Sequence, residues 1–502
     1  MSNTSVLIIG AGPTGLTLAC ELARRNIPIR IIERSDEYPK GSRAKGLQPR
    51  SLEVFDDLDI AGKAMEAGST EVIFRRFNGN QLLGDVHRPI FQRNDTQYAQ
   101  GLLIPQWKVE EILREKLSSY NVQVELSTEL VRFSQNNDTV MVVLKTPSGI
   151  SEMRCDYMVG CDGGKSGVRK TLGIKFEGET HEDEKALIGD VEVDGLTPDA
   201  WHIWMHPQYA FVFALCPFKG TSSWQLQTLA VPDEHGAIPE PTLETFNRLF
   251  QERAQMPDVK LKNATWQSLY RVNVRMADQY RVGRVFIAGD AAHVHSIAGG
   301  LGMNTGIQDS YNLGWKMAAV LNQNASPALL DTYEEERLPV AAWTLNISSE
   351  RQKVMADSVK QGGDAGLHTT ATKDTTQLNL NYRYSSLSMD MNKHEGNIQA
   401  GDRAPDARFQ DGSWLFDLYR GTHFTVLGFD TAQETIDDIN GSFNGDVKVF
   451  LIKEPQVVKA FDGMKGLVVI RPDGYIGMTA GPGEQIAVED YLEKFLSPAE
   501  AE

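Results

Sequence analysis

The sequence predicts an α/β protein made of three structural units, and three features support this prediction. Near the N-terminus an apolar strand runs directly into a glycine-rich turn and a helix, the order found in a nucleotide-binding parallel sheet. Residues 176–269 contain strand-like runs separated by turns, as in an antiparallel sheet. After Gly401 several short apolar runs follow a polar stretch. We therefore expect a Rossmann-like unit, an antiparallel-sheet unit and a small C-terminal α/β unit.

The composition is that of a globular protein with a hydrophobic core. Of the 502 residues, 41% are hydrophobic and 23% are charged, and the net charge is −17. So acidic a chain does not offer the basic face that nucleic acid requires. No apolar run approaches the roughly 20 residues that span a bilayer, and the N-terminus lacks the pattern of a signal peptide. We therefore expect a cytoplasmic protein that binds neither nucleic acid nor membrane.

The first nucleotide-binding signal is a β-α-β unit. Residues 5–9 form an apolar strand, and residues 27–32 form a second one after a helix of suitable length. In the intervening turn, Gly10 permits a tight bend and Gly12 lets a pyrophosphate approach the backbone, while Gly15 lets the helix pack closely on the sheet. This pattern predicts that one half of the site holds an adenosine diphosphate group.

The start of this helix and the end of the second strand agree with that prediction. Pro13 occupies the first helical turn, where proline is tolerated, and Thr14 follows it. The free N–H groups and the positive end of the helix dipole favour a phosphate there. Glu33, followed by Arg34, ends the second strand, where an acid accepts a hydrogen bond from an adenosine ribose. Because a carboxylate would repel a 2′-phosphate, the adenosine held here should not be that of NADP.

Two further glycine segments extend the predicted site. One runs from Cys161 to Arg169 and contains Asp162, and the other runs from Gly289-Asp290 to Asn304 after an apolar strand. No second GxGxxG pattern follows another strand in the sequence, so only one dinucleotide has a dedicated site. Three such segments in this order indicate FAD.

The cysteines indicate neither a disulfide framework nor a redox pair. Four are too few for a framework in a chain of this length. Cys155 and Cys161 flank a strand, and we expect them to be core residues. The four are Cys20, Cys155, Cys161 and Cys216.

Taken together, these segments resemble the class A flavoprotein monooxygenases, the family of para-hydroxybenzoate hydroxylase and phenol hydroxylase. The layout is most similar to that of the aromatic polyketide and rifampicin hydroxylases. The resemblance implies non-covalent FAD, NADPH or NADH as reductant, and O2 as oxidant. It implies that a phenolic or polycyclic aromatic compound is hydroxylated through a flavin C4a-hydroperoxide. The motifs that carry it are the glycine turn, Asp162-Gly163 with Val168-Arg169, Tyr280–Arg284 before Gly289-Asp290, and Gly401–Pro405.

The resemblance also implies roles for individual residues. Asp290, after Gly289, would bind the ribityl chain, as a carboxylate suits a row of hydroxyls. The backbone of Gly302 and its two successors would lie against the isoalloxazine ring, where N–H groups meet the charge that appears on reduction. The implied cofactor contacts are Arg43, Gln106, Asp162, Arg169, Gly289, Asp290, Gly302, Met303 and Asn304.

By the same resemblance the FAD-binding domain is discontinuous. It comprises residues 1–175 and 270–350, with a β-sheet substrate domain at 176–269 inserted between them. Residues 351–400 are expected to be a connecting segment, and 401–502 a thioredoxin-like domain. Because that domain has no cysteine, we expect it to stabilise the protein, or a homodimer of it, rather than to exchange dithiols. A monomer and a homodimer both remain open.

The substrate site is less well marked in the sequence. An aromatic and sulfur-bearing stripe in the middle sheet suits a flat apolar substrate, although such a stripe is also typical of a core. Relatives commonly carry two prolines where this chain has Ser296 and Ile297, so the pocket there is expected to differ. The candidate substrate residues are Trp204, Met205, Phe211, Phe213 and Ile297.

No single residue stands out as a catalytic base. His293 and His295 are candidate acid–base groups, and Tyr270 or Arg271 could polarise a phenol. Two other functions remain open: a Baeyer–Villiger oxygenase on the same scaffold, and a flavoprotein that sequesters an aromatic drug with little turnover. A flavin halogenase is less consistent with the sequence, because the Trp-x-Trp-x-Ile pattern of that class is missing.

Overall fold

The computed structural model describes most of the chain and contains three β-sheets. None of the helices that it describes is long and apolar enough to cross a membrane. The described residues are 2–206, 209–232, 234–295, 300–360, 374–391, 396–443 and 445–496.

The elements are numbered here in chain order. The strands are β1 (Ser2–Ile9), β2 (Ile29–Ile32), β3 (Ile73–Asn78), β4 (Gln81–His87), β5 (Val124–Glu125), β6 (Glu129–Gln135), β7 (Val140–Thr146), β8 (Gly149–Gly160), β9 (Phe176–Asp194), β10 (Trp201–His206), β11 (Tyr209–Pro217), β12 (Ser223–Leu229), β13 (Lys260–Ala277), β14 (Arg281–Val282), β15 (Val285–Ile287), β16 (His293–Val294), β17 (Met389–Asp390), β18 (Phe424–Phe429), β19 (Val447–Ile452), β20 (Gly466–Ile470) and β21 (Ile476–Ala480). The α-helices are α1 (Pro13–Ala23), α2 (Pro49–Asp57), α3 (Ala61–Ala67), α4 (Gln106–Ser119), α5 (Gly167–Thr171), α6 (Leu243–Ala254), α7 (Gly302–Leu321), α8 (Asp331–Lys360), α9 (Phe416–Tyr419), α10 (Gln433–Ser442), α11 (Pro455–Ala460) and α12 (Gln485–Leu492).

The first sheet has β1 at its centre. This strand pairs in parallel with β2 on one side and β8 on the other, and β5 and β15 continue the parallel part. Strands β7 and β6 are added to β8 by antiparallel pairing. Val6, Leu7 and Ile8 have no exposed surface, as expected of a parallel strand covered on both faces. The predicted β-α-β unit is therefore confirmed, with α1 between β1 and β2.

The second sheet is antiparallel for most of its width and larger than the expected insertion. Its order is β16-β13-β9-β12-β11-β10-β3-β4. Strands β3 and β4 come from a stretch that the sequence analysis placed in the first domain. At the other edge, β13 continues past residue 269 to Ala277 and pairs with β16, with Arg275 opposite Val294. Because β16 follows Gly289-Asp290 at once, the second sheet is hydrogen-bonded directly to the third glycine segment.

The third sheet belongs to the C-terminal unit. Its order is β17-β21-β20-β18-β19, and the elements after β17 follow one another as β-α-β-α-β-β-α once α9 is passed. The unit is not separate from the rest of the protein. The turn between β20 and β21 enters a buried ionic cluster in which Arg471 contacts Glu336 at 2.6 Å and Asp473 at 2.6 Å, with all three side chains at most 1% exposed.

The expected connecting segment is partly helical and partly buried. Helix α8 continues through the predicted boundary to Lys360, and Leu378 and Tyr382 are 3% and 1% exposed. Because these side chains pack into the protein, the segment is not the solvated connection that its polar composition predicted. Residues 361–373 and 392–395 lie outside the described part of the chain.

Candidate active site

The glycine turn after β1 has the geometry that a bound pyrophosphate needs. Gly10 has a φ of +101°, and a Cβ there would lie 2.5 Å from the carbonyl oxygen of Cys161, while a Cβ on Gly15 would lie 2.1 Å from that of Gly10. A Cβ on Gly12 would meet nothing within 4 Å. Helix α1 begins at Pro13 without a side-chain cap, so its first N–H groups have no partner within the helix. The first and third glycines are thus required by packing, and the second leaves open space beside free donors.

The carboxylate of Glu33 is held at the end of β2. It accepts hydrogen bonds from the backbone N–H groups of Ala11, at 3.2 Å, and Ser35, at 3.1 Å. These bonds fix the acid next to the glycine turn and leave acceptor capacity for a ribose hydroxyl. Arg34 follows it with an exposed side chain.

Thr14 brings the first and third glycine segments together. Gly289 has a φ of +60°, and a Cβ there would lie 2.4 Å from the Thr14 hydroxyl oxygen. A Cβ on Gly306 would lie at the same distance. Two glycines therefore make room for one threonine, so α1, the Gly289 turn and α7 meet at a single point. Thr14 therefore has a packing role, and its contact with a cofactor stays a prediction.

Gln106 connects the segment that contains Arg43 to α4. Its Oε1 accepts the backbone N–H of Ala44 at 3.1 Å, and its Nε2 donates to Glu110 at 2.8 Å. Burial raises the pKa of Glu110 to about 7, although the Gln106 amide and the charge of Arg43 oppose the shift. Arg43 itself is exposed. Glu110 is a site residue that sequence analysis missed, because nothing in its helical pattern marks it.

The side chains of Asp162 and Arg169 hold the second glycine segment in place. Asp162 Oδ2 accepts the N–H groups of Gly167 and Val168, at 2.7 and 3.2 Å, and so caps α5. The Arg169 guanidinium donates to the carbonyl oxygens of Ala291, at 2.8 Å, and Gly164, at 3.0 Å, and only 4% of this residue is exposed. The Arg169 side chain therefore joins the second and third glycine segments, and its contact with a nucleotide stays a prediction.

Asp290 is at the surface but close to other protein groups. Its side chain is exposed, yet desolvation by the surrounding protein raises its pKa, against the opposing charges of His293 and Arg43. A carboxylate that is open to solvent and still partly desolvated has protein on several sides. The charge of Arg43 acts on the pKa of both Asp290 and Glu110, so Arg43 lies near both carboxyl groups. We call the region from the glycine turn past Arg43 and Asp290 to the start of α7 the groove.

The start of α7 lies beside this groove. The helix begins at Gly302 without a side-chain cap, so the backbone N–H groups of its first turn, which includes Met303, have no partner within the helix. The Asn304 side chain points elsewhere: its Oδ1 accepts the N–H of Gln48 at 2.7 Å, and its Nδ2 donates to the carbonyl oxygen of Gly46 at 3.1 Å. Asn304 thereby ties residues 46–48 to the helix, and any cofactor contact from it is limited to its backbone.

A buried chain of polar side chains runs behind Asp290. His293 Nε2 lies 2.6 Å from Asp309, His293 Nδ1 lies 2.9 Å from His295 Nε2, and Arg337 donates to Asp309 at 2.8 Å. Burial opposes ionisation of Asp309, but His293 and Arg337 outweigh it and lower its pKa to about 2. Burial, helped by the charge of His293, lowers the pKa of His295 well below its usual range.

The low pKa of Asp309 fixes the direction of one hydrogen bond in this chain. Because Asp309 is ionised, His293 donates to it from Nε2, and His293 Nδ1 and His295 Nε2 share the next hydrogen bond. His295 Nδ1 has no partner among the residues that the structure describes. The sequence contained one signal for this region: Asn304, Gln308, Asn312 and Lys316 form a polar stripe at i, i+4 spacing along α7. That stripe does not reveal the partner Asp309.

The predicted substrate residues fall on different faces of the second sheet. Trp204 and Phe213 have no exposed surface and pack against Phe250 of α6, with ring centroids 5.1 and 5.2 Å apart. They are core residues on the face covered by α6, which corrects their assignment to the substrate pocket. Met205, one residue from Trp204, lies on the opposite face, where it packs against the small apolar cluster that contains Phe74 and Ala214. Phe211 belongs to β11, but its side chain lies outside the described part, as do residues Ser296 and Ile297.

The expected core role is confirmed for Cys155, whereas Cys161 packs against the core and is partly exposed. All four carry free thiols, and Cys20, Cys155 and Cys216 are buried while Cys161 is partly exposed.

Comparison with known proteins shows which family the sequence matches. Residues 3–348 match the FAD binding domain family. A flavin-dependent monooxygenase of Mycobacteroides abscessus is 41% identical over 98% of this chain and 100% of its own length. The pentachlorophenol 4-monooxygenase of Sphingobium chlorophenolicum is 34% identical over 85% of this chain and 80% of its own length.

Among solved structures, that of the flavin-dependent monooxygenase PieE in complex with FAD and substrate has the same fold. It superimposes with a TM-score of 0.85 over 98% of this chain and 99% of the PieE chain, at 21% identity. The similarity includes the C-terminal unit, because nearly the whole of both chains is covered.

Proposed function

Because the chain belongs to the FAD-binding family of aromatic monooxygenases, we propose that it hydroxylates a phenolic or polycyclic aromatic compound with O2 and NADPH or NADH. It is a FAD-dependent monooxygenase. The observation that carries the proposal is the meeting of α1, the Gly289-Asp290 turn and α7 at Thr14, next to the open space at Gly12 and the uncapped starts of both helices.

The residues of this groove fit FAD. The start of α1 would hold the pyrophosphate and Glu33 the adenosine ribose. Asp290 and Arg43 would bind the ribityl and phosphate part of the chain, and the first turn of α7 would meet the pyrimidine edge of the flavin. When bound, FAD supplies the transfer of electrons from the nicotinamide to O2 and of one oxygen atom to the substrate.

The protein's own contribution is to orient the ring and keep water away. The second sheet faces residues 41–48 across the site, and β16 joins this sheet to the segment that carries Asp290. His295 is held in place by its hydrogen bond to His293, which is bonded in turn to ionised Asp309. No second nucleotide fold is present in the described residues, so NAD(P)H would bind transiently at the same groove.

The relatives do not favour the other functions that the sequence left open. The names of the pentachlorophenol and tetracycline enzymes specify oxygenation of aromatic compounds. A sequestering protein without turnover is not supported by relatives that are enzymes.

We propose further that residues 401–502 form a thioredoxin-like domain without redox function. The parallel pair β18 and β19 and the antiparallel pair β20 and β21, in the order β19-β18-β20-β21, support this proposal. The buried contacts of Arg471 support a stabilising role. We place the domain boundaries near residues 175, 277, 360 and 400, because β13 ends at Ala277 and α8 at Lys360. Strands β3 and β4 are contributed to the substrate domain by the first segment.

The test is turnover with isotopic oxygen. Purified protein should be yellow, and a panel of phenols and polycyclic aromatic compounds should include one that accelerates NADPH or NADH oxidation. In ¹⁸O2 its product should carry one labelled oxygen as a ring hydroxyl, identified by mass spectrometry and NMR. A labelled lactone would show the Baeyer–Villiger reaction instead, and oxidation of the reductant that no aromatic compound stimulates would contradict the proposal.

A further inference from the structure

Residues 41–48 lie between the predicted flavin groove and the second sheet. On the groove side, Ala44 is bonded to Gln106 and Gly46 to Asn304. On the sheet side, the N–H of Ser42 donates to Asp190 at 2.7 Å. Lys45 lies in the middle of this segment, so its side chain is at the border between cofactor and substrate.

The Lys45 ammonium contacts the face of the second sheet opposite α6. Its Nζ donates to Gln225 Oε1 at 2.6 Å and lies 3.9 Å from the centre of the Trp201 ring. Gln225 is 1% exposed, and its Oε1 also accepts a hydrogen bond from Gln227 at 3.0 Å. The amide is therefore held in one orientation, and it fixes the position of the ammonium.

This ammonium has unused donors. An ammonium can donate three hydrogen bonds, and among the described residues Lys45 makes the one bond to Gln225 and no ion pair within 4.0 Å. Asp190 and Cys216 act on it only at longer range, and burial lowers the pKa of Lys45 to about 8.

A fully buried lysine elsewhere in the protein is bonded differently. Lys316 has no exposed surface and donates to Glu336 at 2.7 Å and to Asn312 at 2.9 Å. Lys45 is partly exposed and has no carboxylate within 4.0 Å among the described residues, so its ammonium is accessible to an anionic ligand.

We propose that Lys45 binds the ionised oxygen of a phenolic substrate, with the Trp201 ring beside it, and so selects phenols that are acidic enough to be bound as phenolates. This inference rests on the proposed function, whose substrate class it narrows. Ionisation places electron density on the ring carbons ortho and para to the oxygen, which makes them better nucleophiles toward an electrophilic oxygen. Lys45 thus determines specificity and holds the substrate in its reactive form.

The test measures the ionisation of a bound phenol without turnover. The FAD-loaded protein is titrated with 4-nitrophenol under oxidising conditions without NAD(P)H, and the absorbance of the phenolate is followed against pH. We expect the pKa of the bound phenol to fall by about one unit, which is about a tenfold preference for the anion. In Lys45→Met this shift should be lost, whereas Lys45→Arg should retain most of it.

Three controls separate this role from others. Lys219→Met removes an exposed lysine in the turn between β11 and β12 and should leave the shift unchanged. FAD content and thermal midpoint, measured for each variant, should match those of the unmodified protein, since Lys45 makes no ion pair among the described residues. 4-Nitroanisole, which cannot ionise, should bind the unmodified protein and Lys45→Met equally well.

Several results would overturn the proposal. These are an equal phenol pKa in the unmodified protein and Lys45→Met, no binding of 4-nitrophenol, and a Lys45→Met variant that loses FAD but keeps the phenol shift. Preferential loss of 4-nitrobenzoate binding in Lys45→Met with an unchanged phenol shift would assign the ammonium to a carboxylate and also overturn it. Each of these results is independent of the ¹⁸O2 experiment, which alone decides the proposed function.

Discussion

The dinucleotide groove and the contact with the C-terminal unit are both rich in charged residues, but they use them in opposite ways. At the contact, Arg471 lies between Glu336 and Asp473, and Lys316 completes the cluster, with every side chain at most 1% exposed. In the groove, Asp290 is exposed and the starts of α1 and α7 are uncapped. The paired charges stabilise the contact between the units, whereas the exposed Asp290 and the uncapped helix starts are available to bind a ligand.

The largest effect should come from breaking the closed cluster. In Arg471→Met, Glu336 and Asp473 lose their shared cation while remaining buried, which should lower the free energy of unfolding by about 3–5 kcal/mol. Thermal and urea unfolding of the FAD-loaded protein would measure this. Arg408→Met, at an exposed arginine of the same unit, should change little. Equal midpoints for the two variants would show that the cluster does not stabilise the fold.

A smaller effect is expected in the groove, and on FAD rather than on the fold. Asp290→Ala removes a carboxylate that makes no structural ion pair in the described residues, so the unfolding midpoint without FAD should be unchanged. Loss of a charged hydrogen-bond acceptor should weaken FAD binding by roughly 10- to 150-fold, or 1.5–3 kcal/mol. The absorbance of the flavin relative to protein, and fluorescence titration with FAD, would show it. Asp258→Ala is the exposed control, and full FAD content in Asp290→Ala would refute the ribityl assignment.

Two glycines of the turn after β1 allow the same comparison between an effect on the fold and an effect on FAD binding. Gly15→Ala would place a Cβ 2.1 Å from a backbone oxygen and should destabilise the protein by roughly 1–3 kcal/mol or more. Gly12→Ala meets no protein atom within 4 Å and should affect FAD affinity alone. Unfolding with and without FAD distinguishes the two. If Gly12→Ala binds FAD normally, the open space beside α1 is not the pyrophosphate site.

The smallest effect concerns a groove carboxyl whose pKa is raised. Glu110 keeps its proton to about pH 7 when folded but ionises near its ordinary value when unfolded, so the folded state binds more protons between these two pH values. Stability should therefore fall as the pH rises through this window. Glu110→Gln should remove that decline. The free energy of unfolding of the variant, relative to that of the unmodified protein, should therefore be higher at pH 8 than at pH 5 by roughly 1–2 kcal/mol. Thermal midpoints of both proteins at the two pH values would test this, and parallel curves would contradict it.

The features that could be predicted from sequence are those made by residues close together in the chain. The β-α-β unit, the roles of Gly10 and Gly15, and the position of Glu33 depend on one strand, one turn and one helix. Their stereochemistry is local, so their residue types reveal it. The short apolar runs after Gly401 also indicated a C-terminal α/β unit, because such runs bounded by turns are local signals as well.

Which face a residue occupies, and which partner it meets, required the tertiary structure. Trp204 and Met205 are neighbours with similar apolar character, and only the packing of α6 on one face of the sheet decides that Trp204 is core. Likewise, the polar composition of residues 374–391 predicts a solvated connection. In the structure these residues contact the buried cluster around Arg337 and Arg471.

From residue order alone follow the dinucleotide turn, the acid at the end of β2 and the family resemblance, because these depend on short stretches with strict backbone requirements. Three other features follow only from the folded chain. They are the partner of His293 sixteen residues along the chain, the bond from Arg471 to Glu336 across 135 residues, and the position of Lys45 between two sheets. Such contacts are selected by the joint packing of distant elements, which no local pattern encodes.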